Sequence, residues 1–228
     1  HAPARFGGMA MLPNRGGAKA AVAEIERVME RPGIRGVVMG AYPNGTLTLQ
    51  PEDDPVWAAL CERNVTLSIH VALTQTMQAV IPGKLPGYGR FFDAPNRVIE
   101  MVFSGMFDRF PGLNVFIAEV DFGWVPYVKE QINNNYQRLE PVQKFGLKMP
   151  PCDYIEKHFH FGYMTDTFGL RHREYVGSER ILWSSDYPHI SADWPFSWRT
   201  IQSSMSGIPA DERALILHGN AERLFGFA

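Results

Sequence analysis

Several features that would point towards particular classes of protein are scarce here. Among 228 residues there are two cysteines, Cys61 and Cys152, far apart and without metal-ligand spacing. A chain of this length does not need a disulfide framework, and two isolated reduced thiols suit a reducing compartment, so a cytoplasmic protein is expected. No apolar run reaches the roughly 18 to 20 residues that a membrane helix needs. Excess charge is missing too: 22 Lys and Arg stand against 24 Asp and Glu, for a net charge of −2. The basic residues are scattered, with no stripe, so neither nucleic acid nor a membrane is an expected partner. Internal repeats, low-complexity tracts and linkers are also lacking, and one domain is the simplest organisation.

What is present is ordinary for a folded enzyme. Hydrophobic residues make up 45% and charged residues 20%, enough apolar material for a large core. Six short apolar runs read as strands: Arg5 to Leu12, Gly36 to Gly40, Val65 to His70, Leu113 to Glu119, His158 to Met164 and Ile181 to Ser185. Between them, apolar residues recur at three-and-four spacing. Ala18 to Met29 is one such stretch and stops at Pro32-Gly33. Another opens at Asp54-Pro55, with Asp54 as its cap, and others cover Asn96 to Phe110 and Trp124 to Leu139. Asp166 caps a helix ending near Gly177, and the tail from Pro209 reads as two short helices broken at Gly219. A Pro- and Gly-rich stretch from Val71 to Pro95 is longer than a normal connection and reads as a lid or binding loop. Strand and helix alternate, which argues for parallel strands with helical crossovers, in an open doubly wound sheet or in most of an eight-stranded barrel.

Three of the strands end on residues able to hold a cation: His70, Glu119 and Asp186. In both topologies function sits at the carboxyl ends of the strands, so these side chains would face one another. Imidazole and carboxylate are donors that zinc, manganese or iron accept. His158 and His160 share a strand face by alternation but lie in the penultimate strand, and they read as structural imidazoles. Trp183, Tyr187, Trp194, Phe196 and Trp198 cluster around the last strand, as packing or as the lining of a pocket for a flat acid.

The segments Arg5-Phe-Gly-Gly-Met-Ala, Ser68-Ile-His70, Ala118-Glu119 with Gly123-Trp-Val-Pro126, Ser185-Asp-Tyr-Pro-His189 and Gly219-Asn-Ala-Glu-Arg-Leu-Phe-Gly226 carry a resemblance covering nearly the whole chain. It resembles the metal-dependent amidohydrolase superfamily, in the branch of aminocarboxymuconate-semialdehyde decarboxylase and its hydrolase relatives. The resemblance implies a (β/α)8 TIM barrel of the α/β class, of which the six strands are the third to the eighth. It matches His70 to the fifth-strand metal histidine and Asp186 to the eighth-strand metal aspartate. It also implies a divalent cofactor, zinc first and manganese or iron as alternatives. The His-x-His pair of the family's first strand has no counterpart here. The chain starts at His1, so the pair is expected upstream, in an N-terminally incomplete barrel domain spanning residues 1–228.

Glu119 stands where decarboxylases of this branch carry a histidine. For that reason the expected reaction is metal-assisted hydrolysis of a small, aromatic or carboxylated molecule. Asp186 would ligate and shuttle a proton, Glu119 would act as base or extra ligand, and His189 would orient the site or contact substrate. Non-oxidative decarboxylation of an aromatic or unsaturated acid is the alternative, and a silent barrel or binding protein is the second. The expected partners are a small-molecule substrate and a second copy of the chain in a homodimer.

Overall fold

The computed structural model describes residues 4–70 and 88–227, with residues 88–92 described by backbone alone. Its strands are short and apolar, and each hands the chain to a helix that packs back on the sheet. The order is β1 (Gly8–Met11), α1 (Gly17–Met29), β2 (Ile34–Met39), α2 (Asp54–Glu62), β3 (Leu67–His70), α3 (Tyr88–Phe103) and α4 (Met106–Arg109). Then come β4 (Val115–Ala118), α5 (Val125–Gln143), α6 (Pro151–His158), β5 (Phe159–Tyr163), α7 (Thr167–Arg171) and β6 (Ile181–Trp183). The chain ends with α8 (Ser197–Ser204), α9 (Ala210–Ala214), a π-helical turn at Leu215–Gly219 and α10 (Asn220–Phe225).

All five strand pairings are parallel, and the spatial order is the chain order, β1 to β6. A doubly wound sheet reverses its strand order at a switch point, and this sheet does not. Every crossover moves one strand onward in the same sense, the progression that curls a twisted sheet into a barrel wall.

Register explains which side chains meet the helices. Ile69, Ile117, Phe161 and Ile181 are paired across four strands, and all are buried with the helix residues Ile25, Trp57, Val98, Met101, Val125 and Ile132. Alternation turns Ser68 and His70 of β3, and Phe116 and Ala118 of β4, to the other face. Within the core Phe107 is stacked on His158 with ring centroids 4.3 Å apart and lies edge-on to Phe159 at 5.2 Å.

Several expectations are corrected. The apolar run read as the first strand, from Arg5 to Leu12, narrows to β1, which among the described residues pairs with β2 alone, and Met11 is 67% exposed. The cap of α2 is Asp53, not Asp54. Asp53 is fully buried and accepts the Asn44 and Gln50 backbone N–H groups at 2.9 and 3.2 Å. The expected helix from Asn96 to Phe110 begins earlier and is cut in two at Gly105, whose φ of 69° belongs to the left-handed region that glycine enters without a Cβ clash. Of the expected lid, residues 71–87 lie outside the described residues, and residues 88–95 are the start of α3. Helix α6 runs into the expected fifth strand, so His158 closes a helix and β5 starts at Phe159.

Candidate active site

Parallel pairing delivers the chemistry to one rim. Register sets His70 beside Ala118, so the next residue, Glu119, leaves β4 directly above the end of β3. Its φ is 62°, and Asp186, just past the end of β6, has φ 56°. Side chains other than glycine seldom adopt this left-handed conformation, and each such residue costs about 1–3 kcal/mol that the surrounding fold must overcome. The effect at both positions is to turn the backbone sharply out of the strand while the carboxylate stays at the strand end.

The side chains then meet. His70 Nε2 lies 2.9 Å from Glu119 Oε2. Asp186 Oδ2 accepts Ser191 Oγ–H at 2.7 Å and faces His189 Nδ1, also at 2.7 Å. The backbone N–H of His189 donates to the Asp186 carbonyl at 2.8 Å, which closes the Tyr187-Pro188 turn and brings the imidazole back over the carboxylate. Glu119, Asp186 and His189 each offer a ligand atom, and these atoms lie within 4.8 Å of one another. Burial raises the pKa of Asp186. The hydrogen bonds from Ser191 and His189, together with the nearby His189 and His70 imidazoles, outweigh it, and the net shift is downward. A half-buried carboxylate kept ionised beside imidazoles and a second carboxylate is a donor set that fits a divalent cation.

Asp166 supports this rim from behind. Its Oδ2 accepts the backbone N–H groups of Phe122 and Gly123, each at 2.7 Å, and its Oδ1 accepts that of Gly169 at 2.7 Å. One carboxylate therefore caps α7, as expected, and also clamps the loop that carries Glu119 into α5. The second role joins residues 43 and 44 positions apart, and no local pattern could reveal it. Ser191, which holds Asp186, was likewise missed. A serine two residues beyond the histidine of Ser185-Asp-Tyr-Pro-His189 was the only available signal. Of the aromatic cluster, Trp183 packs against the core, while Tyr187, Trp194, Phe196 and Trp198 are exposed along the segment that follows Asp186. Tyr187 and Trp194 touch, with centroids 5.4 Å apart.

His158 and His160 stand at the other end of the sheet. His158 Nδ1 donates to the Leu113 carbonyl at 2.8 Å, and His160 Nε2 accepts from Arg180 Nη1 at 3.3 Å. Burial first, then the Arg180 and Arg223 charges, push the His160 pKa from 6.5 down to about 3. The unfolded chain therefore binds the extra proton between those values. Stability should rise with pH through this window and fall on acidification, by up to about 1.4 kcal/mol per pH unit. His160→Gln is expected to lessen that slope in urea unfolding measured between pH 4.5 and 6.5, leaving the part of the same sign that His158, also shifted down by burial, contributes. An equal slope in both proteins would refute the assignment.

Comparison with known proteins agrees with this architecture. The amidohydrolase family model, Amidohydro_2, matches residues 1–227. Gamma-resorcylate decarboxylase of Polaromonas sp. is 24% identical over 242 residues, covering 98% of this chain and 71% of that protein. Among solved structures, 5-carboxyvanillate decarboxylase of Sphingomonas paucimobilis superposes with a TM-score of 0.82 at 24% identity, over 98% of this chain and 68% of that one. A dihydroxybenzoic acid decarboxylase of Polaromonas sp., with bound manganese and the inhibitor 2-nitroresorcinol, gives 0.74 at 20% identity, over 97% and 69%. The barrel fold expected for the sheet is thus borne out, and a divalent metal is supported. Zinc is not singled out.

The expected hydrolytic reaction is overturned. It rested on a single position, Glu119, whereas gamma-resorcylate decarboxylases and the decarboxylase orsB, curated relatives with named activities, match along 97–98% of the chain. One changed side chain in a cation-holding cluster alters a ligand or a proton carrier, and it does not by itself convert bond cleavage by lost carbon dioxide into cleavage by water.

Proposed function

This chain belongs to the amidohydrolase family, and from that premise we propose that it is a metal-dependent, non-oxidative decarboxylase of a small aromatic or unsaturated carboxylic acid. The observation that carries the reading is the rim itself. His70 and Asp186, from strand ends of one parallel sheet, come together with Glu119 and His189 in a chain that gamma-resorcylate decarboxylases match over nearly its full length.

His70 and Asp186 would hold the divalent ion, for which manganese is favoured by the neighbour that contains it. Once bound, such an ion acts as a Lewis acid that binds and polarises substrate oxygens. The remaining work falls to this chain's own side chains. Ser191 and His189 fix the Asp186 carboxylate from one side, leaving its other oxygen for the ion. The exposed rings of Tyr187 and Trp194 offer an apolar wall for a flat substrate. In the reaction the bond between ring carbon and carboxylate carbon breaks, its electron pair stays on the ring carbon, and a proton takes the vacated position. His189, half exposed and held through Nδ1, can present a proton at Nε2 to that carbon. Residues 1–228 would all belong to one barrel domain.

The test is product analysis. Purified protein supplied with Mn²⁺ is incubated with dihydroxybenzoates and carboxyvanillates. The expected result is one carbon dioxide per arene formed, with the new ring hydrogen taken from solvent deuterium. Substrates returned unchanged across the panel would sink the proposal.

A further inference from the structure

We propose that Glu119 is itself a ligand of the metal ion, the third protein donor beside His70 and Asp186, and that it is not the proton-transferring base; this rests on the metal centre proposed above. The first support is spacing. Two donors about 2.1 Å from one ion and adjacent in its coordination shell lie about 3 Å apart, and donors on opposite sides lie a little over 4 Å apart. His70 Nε2 and Glu119 Oε2 are 2.9 Å apart, and the Glu119, Asp186 and His189 donor atoms lie within 4.8 Å of one another. Glu119 is thus the carboxylate within donor-to-donor reach both of His70 and of Asp186.

The second support is charge. The Glu119 and Asp186 side chains are 13% and 20% exposed, so two negative groups share a poorly hydrated corner. A divalent ion seated between two such carboxylates would balance both charges. The third support is direction. Left-handed backbone at both residues holds the two carboxylates at adjoining strand ends, a cost the fold bears at two separate loops that converge on one point.

A donor set of two carboxylates and one imidazole is harder than one richer in histidine, so it should favour Mn²⁺ over Zn²⁺ more strongly than a histidine at this position would. His189 is then not a ligand and acts on the centre through Asp186. Its Nδ1 contact with Asp186 Oδ2 and the Ser191 bond position that carboxylate.

The experiment is a metal titration without substrate. Metal-free full chain is titrated with Mn²⁺, and free ion is read by its electron paramagnetic resonance signal, with Zn²⁺ competition afterwards. Wild type is expected to bind one ion. Glu119→Gln should bind at least about tenfold more weakly. Glu119→His should recover binding, with the Zn²⁺-to-Mn²⁺ preference moved at least tenfold towards zinc. If Glu119→Gln does not fold, Glu119→Asp, one methylene shorter, takes its place and should also weaken Mn²⁺ binding. Wild-type affinity in these carboxylate variants, alongside loss of the ion in Asp186→Asn, would overturn the ligand role of Glu119 and leave the metal centre standing. A wild type that binds neither ion would overturn both.

Discussion

Replacing Asp186 by Asn is expected to lower kcat/KM at least about 10³-fold, some 4 kcal/mol of lost transition-state stabilisation, and to strip the protein of its metal. The change is nearly isosteric, so its effect isolates charge. In the native rim Asp186 leaves β6 with φ 56°, and its Oδ2 accepts Ser191 and faces His189 Nδ1. An amide there carries no charge for the ion. If its nitrogen takes the place of Oδ2, it points a donor at groups that now donate to the carboxylate. Asn tolerates the left-handed backbone better than most residues, so the fold should survive. Elemental analysis of the purified variant, together with carbon dioxide release, measures both losses. Activity within tenfold of wild type, with a full complement of metal, would show that the ion is held elsewhere.

The second large effect concerns stability. Phe107→Ala is expected to destabilise the protein by about 3–5 kcal/mol, the range for removing a buried aromatic ring whose cavity cannot collapse. Phe107 is 2% exposed. It stacks on His158 at 4.3 Å, meets Phe159 edge-on at 5.2 Å and lies 6.3 Å from Tyr154. Its ring thus ties α4 to α6 and to the first residue of β5. Loss of the ring also loosens His158, whose Nδ1 donates to the Leu113 carbonyl just ahead of β4. Tyr127→Ala is the control, because that ring is 68% exposed on α5 and should change stability by no more than about 0.5 kcal/mol. Urea unfolding monitored by circular dichroism compares the two. A loss below about 1 kcal/mol for Phe107→Ala would mean that this part of the core is looser than its packing indicates. Because the ring lies at the sheet end away from His70 and Asp186, kcat per folded molecule should hardly change.

Local patterns in the chain were sufficient for the alternation of strand and helix and for the residues at the strand ends. The apolar runs that stop at His70, Glu119 and Asp186 are short, and side-chain periodicity is a property of neighbouring residues, so both are visible without knowing what packs against them. They were also sufficient for the Asp166 cap of α7, since its acceptor and the Gly169 N–H are three residues apart. The tertiary structure alone decided what depends on distant partners. Sheet order is one case: nothing within a single strand encodes its neighbour, so the strand pattern alone left a doubly wound sheet open, the whole-chain resemblance implied the barrel, and the strands do pair in sequence. The clamp of Asp166 on Phe122 and Gly123, the exposure of Met11 and the stacking of Phe107 on His158 are others. So is the approach of the Glu119 carboxylate to both His70 and Asp186, from residues 49 and 67 positions away in the sequence. Spacing along the chain could place these donors at strand ends. Only the register between parallel strands and the sharp backbone turns after them could bring the donors within reach of one ion.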